Sequence, residues 1–311
     1  MKKNSLLLII CLFSSSVFSL DFYLSPVSSY SNEYYSDYLY SERGRLLSQL
    51  EYKASYLFKF GLTFAVINNN FEFDTNLLTS LPVKCGTLYD SDWQKENLKT
   101  SLSFHDLYST AVIDLEITTK YHINLGHFFT LSPSFSFFYN YRYFSAAQGI
   151  AFKGSPYWTG LDTYVSWDSE YAVQKKVYGI DYFNNIFSLK LALAGTFKIN
   201  SHSITLSAGI SPYTYILSID HHLGSTGGSY YQMVQKASWS VFDFGLGYKY
   251  KLYNESFLFF DCNIDFSLIL PGDLYYGYFA IENIIADETS ALKYAKFNFV
   301  AGFSFKLNNK K

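Results

Sequence analysis

Two short segments of the chain place ionisable residues at positions i and i+2, namely Asp90 with Asp92 and Asp220 with His222. Alternate side chains of a β-strand share a face, so each pair would point one way and His221 the other. Two such pairs facing one another would combine an imidazole that titrates near neutral pH with two carboxylates that cannot both ionise cheaply. That combination is suited to activating water and moving protons. An Asp-x-Asp pair alone is weak evidence, because surface turns often contain it.

The N-terminal segment predicts a secretory signal peptide over residues 1–19, followed by a single domain over 20–311. Lys2 and Lys3 supply a charged start, the run from Leu6 to Phe13 is apolar, and Val17 to Ser19 offers a small-residue cleavage site. The apolar run is too short to form a transmembrane helix. A secreted chain is therefore expected.

The remaining chain has the composition of a transmembrane β-barrel. Aromatic residues make up 21% of the sequence and charged residues only 16%, which is typical of barrels with aromatic girdles at the membrane interfaces. Apolar and polar residues alternate with a period of two over 188–193, 203–210 and 297–307. A soluble β-sandwich is the simpler alternative, but it would not need so many outward-facing aromatic side chains.

Turn signals suggest about ten strands and define the two ends of the barrel. Four short breaks carry Asn, and five longer polar stretches lie between them: turns at 68–70, 124–127, 200–202 and 253–255, and loops at 41–45, 90–103, 145–182, 218–238 and 271–293. Short turns are periplasmic and long loops extracellular in such barrels, with an even number of strands. The fold prediction is an all-β, ten-stranded antiparallel transmembrane barrel. Both pairs of ionisable residues would then lie at the extracellular end, and His105 is expected in a loop or turn.

Charge and cysteine content restrict the other classes of function. The formal net charge of −2 and the lack of a basic run do not suggest nucleic-acid binding. Cys85 and Cys262 are the only cysteines after the signal segment, too few for a disulfide framework, and both are expected to be free. No nucleophile elbow, zinc-spaced ligand set or phosphate-binding loop is present, so no metal and no cofactor are predicted.

Several motifs together resemble the omptin family of outer-membrane endopeptidases. Gly44 to Leu50 is similar to the family's entry to its second strand, Asp90 to Trp93 to its Asp-x-Asp-Trp motif, and Asp220 to His222 to its Asp-x-His motif. The closing strand, Ala301 to Phe305, is similar as well. The resemblance spans the chain from residue 20 onward, with low identity away from these motifs.

The resemblance implies peptide hydrolysis by an activated water, without an acyl-enzyme and without a metal. It implies that His222 is the general base, oriented by Asp220, and that Asp90 and Asp92 hold the attacking water from the opposite wall. In the family, a Glu on the first strand and an Asp two residues before the catalytic Asp bind a basic residue of the substrate. Glu33 is predicted to supply the first of these, and Ser218 stands in place of the second.

A lipid site is also implied by the resemblance, although it is poorly preserved. The family's lipopolysaccharide motif, Tyr-x-Glu-x-Arg on the outer wall, reads Phe138 to Arg142 here, and only Arg142 is retained. Arg142 is therefore predicted to bind lipid, with lipopolysaccharide dependence left open.

Three functions follow as hypotheses. The first is an endopeptidase in the bacterial outer membrane, its site facing the extracellular side and its partners peptide or protein substrates and outer-membrane lipid. The second is a non-catalytic barrel that serves as an adhesin or structural protein. The third is a small porin, but about ten strands leave little room for a channel once side chains fill the interior. Retention of all four acid and base residues favours the first, because a binding barrel has no need of them.

Overall fold

The computed structural model describes residues 20–224, 228–277 and 284–307, so the proposed signal segment lies outside the described residues. Within these ranges the chain is almost entirely antiparallel β-sheet. The strands are β1 (Leu20–Tyr40), β2 (Leu46–Asn68), β3 (Phe71–Ser80), β4 (Val83–Asp92), β5 (Ser101–Tyr121), β6 (Ile123–Asn124), β7 (Phe129–Ala146), β8 (Gly149–Lys153), β9 (Val173–Val177), β10 (Ile180–Ile199), β11 (His202–His222), β12 (Ser229–Ala237), β13 (Val241–Lys251), β14 (Phe257–Ser267), β15 (Leu270–Gly277) and β16 (Ile284–Lys306). One short helix, α1 (Pro156–Thr159), lies between β8 and β9.

Strand pairing follows chain order and returns to its starting point. β1 pairs with β2, β2 with both β3 and β4, and these two with β5. β5 then pairs with β7, β7 with β10, and β10 with β11. β11 pairs with both β12 and β13. β12 then pairs with β15, and β13 with β14. Both β14 and β15 pair with β16. β16 pairs with β1. β8 and β9 extend the sheet from the end of β5.

The two faces of the sheet differ sharply in chemistry. On β2, the outward side chains of Phe58, Phe60 and Leu62 are more than half exposed, whereas Lys59 between them is completely buried. This alternation confirms the predicted period of two, and it recurs on β11 and β16. We call the two sides the apolar face and the polar face. An exposed apolar face of this extent is adapted to lipid, because it would be unfavourable in water.

The apolar band covers only part of each long strand. On β2 the first strongly exposed apolar side chain is Tyr56, and on β11 the last is Tyr213. Strand segments 46–55 and 214–222 therefore extend beyond the band. Asp90, which pairs with Leu50, and Asp220 both lie in this extension.

Short turns were predicted more accurately than long loops. The Asn-bearing breaks near 69, 200 and 254 do connect consecutive strands. The predicted loops at 218–238 and 271–293 are largely strand in their described residues, because β11, β12, β15 and β16 continue into them, whereas 90–103 is strand only at its two ends, in β4 and β5. Beyond the apolar band, neither face of a strand is strongly apolar. The sequence therefore loses its alternation there and resembles a loop, although the backbone pairing continues.

Cys85 and Cys262 are both free, as predicted, with Cys85 completely buried and Cys262 partly exposed. Among the described residues, no helix is long and apolar enough to cross a membrane.

Candidate active site

One wall of the candidate site is formed by a row of residues in register across four neighbouring strands. Asp37 on β1 pairs with Leu50 on β2, Leu50 with Asp90 on β4, and Asp90 with Ser103 on β5. The side chains of this row lie on the polar face, where Leu50 belongs to the buried core. The row brings together one carboxylate that the sequence analysis identified and one, Asp37, that it did not.

The opposite wall is supplied by β10 and β11, and two tyrosines join the walls. The hydroxyl of Tyr52 on β2 donates to Oδ1 of Asp220 at 2.5 Å. The ring of Tyr52 stacks on that of Tyr182, with 4.0 Å between centroids and 16° between planes. Both tyrosines and Asp220 are almost completely buried. These contacts place Asp220 beside the row that carries Asp37 and Asp90, although 168 residues separate it from Tyr52.

Asp92, and not Asp220, is the carboxylate whose charge acts on His222. Burial lowers the pKa of His222 to about 4, and the negative charge of Asp92 acts in the opposite direction. Oδ1 of Asp220 accepts from the Tyr52 hydroxyl, and Oδ2 has no hydrogen-bond partner among the described residues. The expected Asp220–His222 orienting hydrogen bond is therefore not formed in this arrangement. Neutral His222 would be available as a base well below neutral pH.

The carboxyl groups of the site favour their protonated forms. Burial raises the pKa of Asp92 to about 6, assisted by the negative charge of Asp90, and Lys153 Nζ at 3.8 Å partly opposes this. Burial also raises the pKa of Asp90 and takes that of Asp220 to about 7. Each shift has the same physical cause, since removing a carboxylate from water penalises its charged form. The site thus holds acids that retain protons close to neutral pH and an imidazole that is neutral there.

Asp37 is the site residue that the sequence analysis missed. It is 2% exposed, and neither carboxyl oxygen has a hydrogen-bond partner within the described part of the chain. Burial and the nearby charge of Asp220 hold its pKa well above the usual range, although the neighbouring hydroxyl of Tyr182 acts in the opposite direction. Its position was the available signal. Asp37 lies on the same strand face as Glu33 and seven residues before Gly44. A small shift of the alignment against the Gly-Arg motif would therefore have chosen Asp37 instead of Glu33.

The structure contradicts the roles predicted for Glu33 and Arg142. Arg142 is completely buried on the polar face, so it does not lie on the outer wall where a lipid would meet it. Its Nε and Nη2 donate to the two carboxyl oxygens of Glu33 at 2.6 and 2.8 Å. Glu33 also accepts from Lys59 at 3.3 Å and from the Tyr35 hydroxyl at 2.8 Å. Glu33 is saturated by the protein's own donors and is not available to bind a substrate cation.

The physical reason is the cost of burying charge. An arginine on the polar face of a packed sheet must find a carboxylate there, and a bidentate Arg–carboxylate pair satisfies both groups. Asp114 completes the cluster, at 2.7 Å from Arg142 Nη2, 2.7 Å from Lys59 Nζ and 3.4 Å from Lys296 Nζ. We call Glu33, Arg142, Lys59, Asp114 and Lys296 the ionic cluster.

A cavity of about 390 Å³ lies against the ionic cluster on the polar face. Asp114 and Lys296 line it, together with residues of the strand segments that carry the apolar band, such as Lys190 and Asp243. The four predicted catalytic residues do not line it. Among the described residues, no group of three or more His, Cys, Asp or Glu side chains is arranged to hold a metal ion.

The fold is similar to that of the outer membrane protease OmpT from Escherichia coli, with a TM-score of 0.75 and 13% sequence identity over 94% of this chain and 100% of that chain. The translocator domain of the autotransporter NalP from Neisseria meningitidis aligns with a TM-score of 0.39 and 11% identity, covering 97% of this chain and 94% of that chain. The toluene transporter TodX from P. putida aligns with a TM-score of 0.29 and 9% identity, covering 96% and 92%. The likeness to OmpT shows a shared fold, whereas the two lower scores carry no argument.

No protein-family model matches the chain, and no curated protein sequence matches it significantly.

Proposed function

We propose that this protein is an endopeptidase of the bacterial outer membrane, with its site facing the extracellular side. The observation that carries the proposal is the convergence of Asp90, Asp92, Asp220 and His222 at the end of the sheet beyond the apolar band. The shared fold with OmpT supports it.

The proposed architecture is a closed barrel with ten strand positions around its circumference. Three of these positions are each shared by two strands, because both members contact the same neighbouring strand: β3 with β4, β12 with β13, and β14 with β15. The pairing of β16 with β1 then completes a ring. Closure leaves no backbone donor or acceptor of the spanning strands unpaired in lipid. Heat-modifiable migration on gels and a sheet-dominated circular dichroism spectrum are expected, and a helical spectrum in detergent would contradict this fold.

In the proposed reaction, His222 removes a proton from a water molecule held against the Asp90–Asp92 pair. The water oxygen attacks the peptide carbonyl carbon, and a protonated carboxyl of the pair donates a hydrogen bond to the developing oxyanion. The imidazolium of His222 then returns its proton to the leaving amine. Peptide and water become a carboxylate and an ammonium group, the second water proton passing from the new carboxylic acid to the amine, with no covalent enzyme intermediate.

The pocket beside Asp220 is proposed to accept a basic side chain of the substrate. Four buried acceptors there have no hydrogen-bond partner among the described residues: both oxygens of Asp37, Oδ2 of Asp220 and Oγ of Ser218. Unsatisfied buried acceptors are costly, and an ammonium or guanidinium group supplies several donors at once. Asp37 therefore replaces Glu33 as the proposed carboxyl partner, and it would ionise when the substrate cation binds beside it. Because Ser218 adds no charge, the preference for Arg or Lys should be weaker than in a pocket with a second dedicated carboxylate.

The ionic cluster argues against a porin. Its five charged side chains span the polar face from β1 and β2 to β5, β7 and β16, and Arg142, Glu33 and Lys59 are completely buried. In a closed barrel such a cluster would block passage between the site and the cavity on its other side. The outer-membrane lipid that surrounds the apolar band remains a proposed partner, without a role for Arg142.

Cleavage of a mixed peptide library by refolded protein tests the proposal. We expect cleavage, read by mass spectrometry, that is lost when Asp90 and Asp92 are both replaced by Asn. Folding of each variant is checked by heat-modifiable migration. A folded protein that cleaves no peptide would indicate the non-catalytic alternative, an adhesin or structural barrel. Cleavage abolished by chelators or serine reagents would contradict the mechanism.

A further inference from the structure

His105 is a second imidazole at the candidate site, and its surroundings fix its tautomer. It was expected in a loop, but it lies on β5 and is 3% exposed. Its Nδ1 is 2.8 Å from the carbonyl oxygen of Ala147. A carbonyl oxygen can only accept, so Nδ1 carries a proton.

The other ring nitrogen must then accept when the imidazole is neutral. Nε2 lies 2.9 Å from Oγ of Ser103, which is also buried. The hydroxyl of Ser103 is therefore the donor in this contact. Ser103 Oγ also lies 3.5 Å from Oδ2 of Asp90, and its single proton cannot serve both neighbours. The shorter contact, to His105, takes the proton.

We propose that His105, acting through Ser103, makes Asp90 the member of the Asp90–Asp92 pair that carries the proton. Oδ2–H of Asp90 donates to Ser103 Oγ, and the proton of Ser103 is donated to Nε2 of His105. His105 and Ser103 are positioning residues in this arrangement. Its role in hydrolysis, in which the Asp90 proton turns from Ser103 Oγ to the oxyanion as the charge develops, rests on the proposed function.

The reverse arrangement, in which Ser103 donates to Asp90 over 3.5 Å and lowers the pKa of Asp90, requires a buried cation. If Ser103 donated to an ionised Asp90, both nitrogens of His105 would have to carry protons. Burial lowers the pKa of His105, and the nearby charge of Lys153 on β8 acts in the same direction. The other ionisable groups that face this region are Asp90 and Asp92 on β4 and His222 on β11. The Ala147 carbonyl alone favours the imidazolium.

Packing holds the ring in this position. A Cβ placed on Gly149 of β8 would lie 2.6 Å from Nδ1 of His105 and 2.4 Å from the carbonyl oxygen of Phe104. Both distances are too short for a side chain, so the absence of one at position 149 leaves the ring free to reach the Ala147 carbonyl.

Infrared titration of the Asp90 carboxyl group tests the proposal through the sign of a shift. The C=O stretch of protonated Asp90 is identified as the band lost in Asp90→Asn, and its disappearance is followed with rising pH. Ser103→Ala removes the acceptor of the Asp90 proton, so we expect the midpoint to fall by roughly half a pH unit to one unit. A rise would overturn the proposal, because it would show that Ser103 donates to the carboxylate.

Three further variants separate this effect from a general disturbance. His105→Phe should also lower the midpoint, because Ser103 is then free to donate to ionised Asp90. Ser103→Thr keeps the hydroxyl and should leave the midpoint near that of the wild type. Ser109→Ala removes another buried serine hydroxyl of the same strand, one that bonds to the Leu81 carbonyl, and should not move it. Equal shifts in Ser103→Ala and Ser109→Ala would overturn the proposal.

The titration needs no substrate, so it fails or succeeds independently of the proposed function. If peptides are cleaved, the alkaline limb of kcat/KM should move to lower pH in Ser103→Ala, together with the infrared midpoint. An infrared shift of the expected sign without cleavage would support the proton assignment and contradict the endopeptidase. Cleavage with an infrared midpoint that does not fall would support the endopeptidase and contradict the proton assignment.

Discussion

Tyr52 donates a 2.5 Å hydrogen bond to Asp220 across the candidate site, and this contact occupies one oxygen of the carboxyl group that was expected to orient His222. Tyr52 lies on β2 and Asp220 on β11, on opposite walls. The bond lowers the pKa of Asp220, whereas burial raises it to about 7. Tyr52 therefore favours the ionised form of Asp220 against the effect of burial.

Replacing Tyr52 with Phe should raise the pKa of Asp220, because the carboxylate loses its hydrogen-bond donor. Asp220 would then stay protonated through neutral pH and bind a substrate cation less well. We expect an increase of several-fold or more in KM for substrates with Arg or Lys, measured at about pH 7. Tyr34→Phe is the matched control, since the Tyr34 hydroxyl bonds to Glu51 away from the site. Equal effects of the two variants would argue against this role of Tyr52.

Replacing His222 with Ala should reduce kcat by on the order of 10²-fold or more, because the variant has no base to accept the proton of the water. His221→Ala should cost little, since His221 stacks on Tyr230, with 4.0 Å between centroids, and strand alternation turns it away from Asp220. Rates at saturating substrate measure both effects. A loss in His221→Ala as large as in His222→Ala would contradict the alternation argument.

The acid limb of kcat/KM should lie well below the ordinary range of histidine, because His222 holds its neutral form down to a pKa of about 4. A substrate without ionisable groups near the cleaved bond ensures that the limb reports a group of the enzyme and not of the substrate. An acid limb near pH 6.5, the ordinary histidine value, would show that His222 is not desolvated in the free enzyme.

Asp37 and Glu33 should have separable effects on specificity and stability. Asp37→Asn should weaken the preference for Arg or Lys at the cleavage site, with the fold retained. Glu33→Gln should instead destabilise the protein by about 3 kcal/mol or more, because it leaves Arg142 and Lys59 with only Asp114 as a shared buried counter-charge. Library cleavage and denaturant unfolding in detergent measure the two outcomes. Loss of preference in a stable Glu33→Gln variant would restore the original assignment of Glu33.

Ser218→Asp adds the second carboxylate and should sharpen the preference for basic residues.

Asp220 should also make stability depend on pH. Its pKa is raised from 3.8 to about 7 in the folded protein, so the folded state binds more protons between these values. The stability that this group contributes is present below about pH 3.8 and is lost as the pH rises through about 7. Asp220→Asn should therefore gain stability relative to the wild type between about pH 5 and pH 8. Unfolding midpoints at the two pH values decide this, and a constant difference would mean that Asp220 is ionised throughout.

Local patterns in the sequence predicted the parts of the fold that depend on local physics. The alternation at Ile204 and Leu206 on β11 and at Phe297 and Phe299 on β16 identified the apolar face, since each exposed apolar side chain reports its own contact with lipid. The Asn-bearing turns identified the strand connections. Spacing of two residues placed Asp90 with Asp92, and Asp220 with His222, on common faces.

Strand extent beyond the apolar band was not predictable in this way. Residues 218–222 and 229–233 pair between β11 and β12, although both segments lie within the predicted loop at 218–238. Backbone hydrogen bonds to a neighbouring strand maintain the sheet there, and no side-chain pattern records them.

The sequence by itself determined the class of fold, the apolar and polar faces, and which ionisable residues share a strand face, because a period of two depends only on the backbone. Tertiary structure alone decided which of these residues meet across the sheet. It paired Arg142 with Glu33 and left Asp37 facing the site, four residues further along the same face of β1. A buried charge is stabilised by whichever opposite charge the register of distant strands brings within a few ångströms, and that register is a property of the assembled sheet.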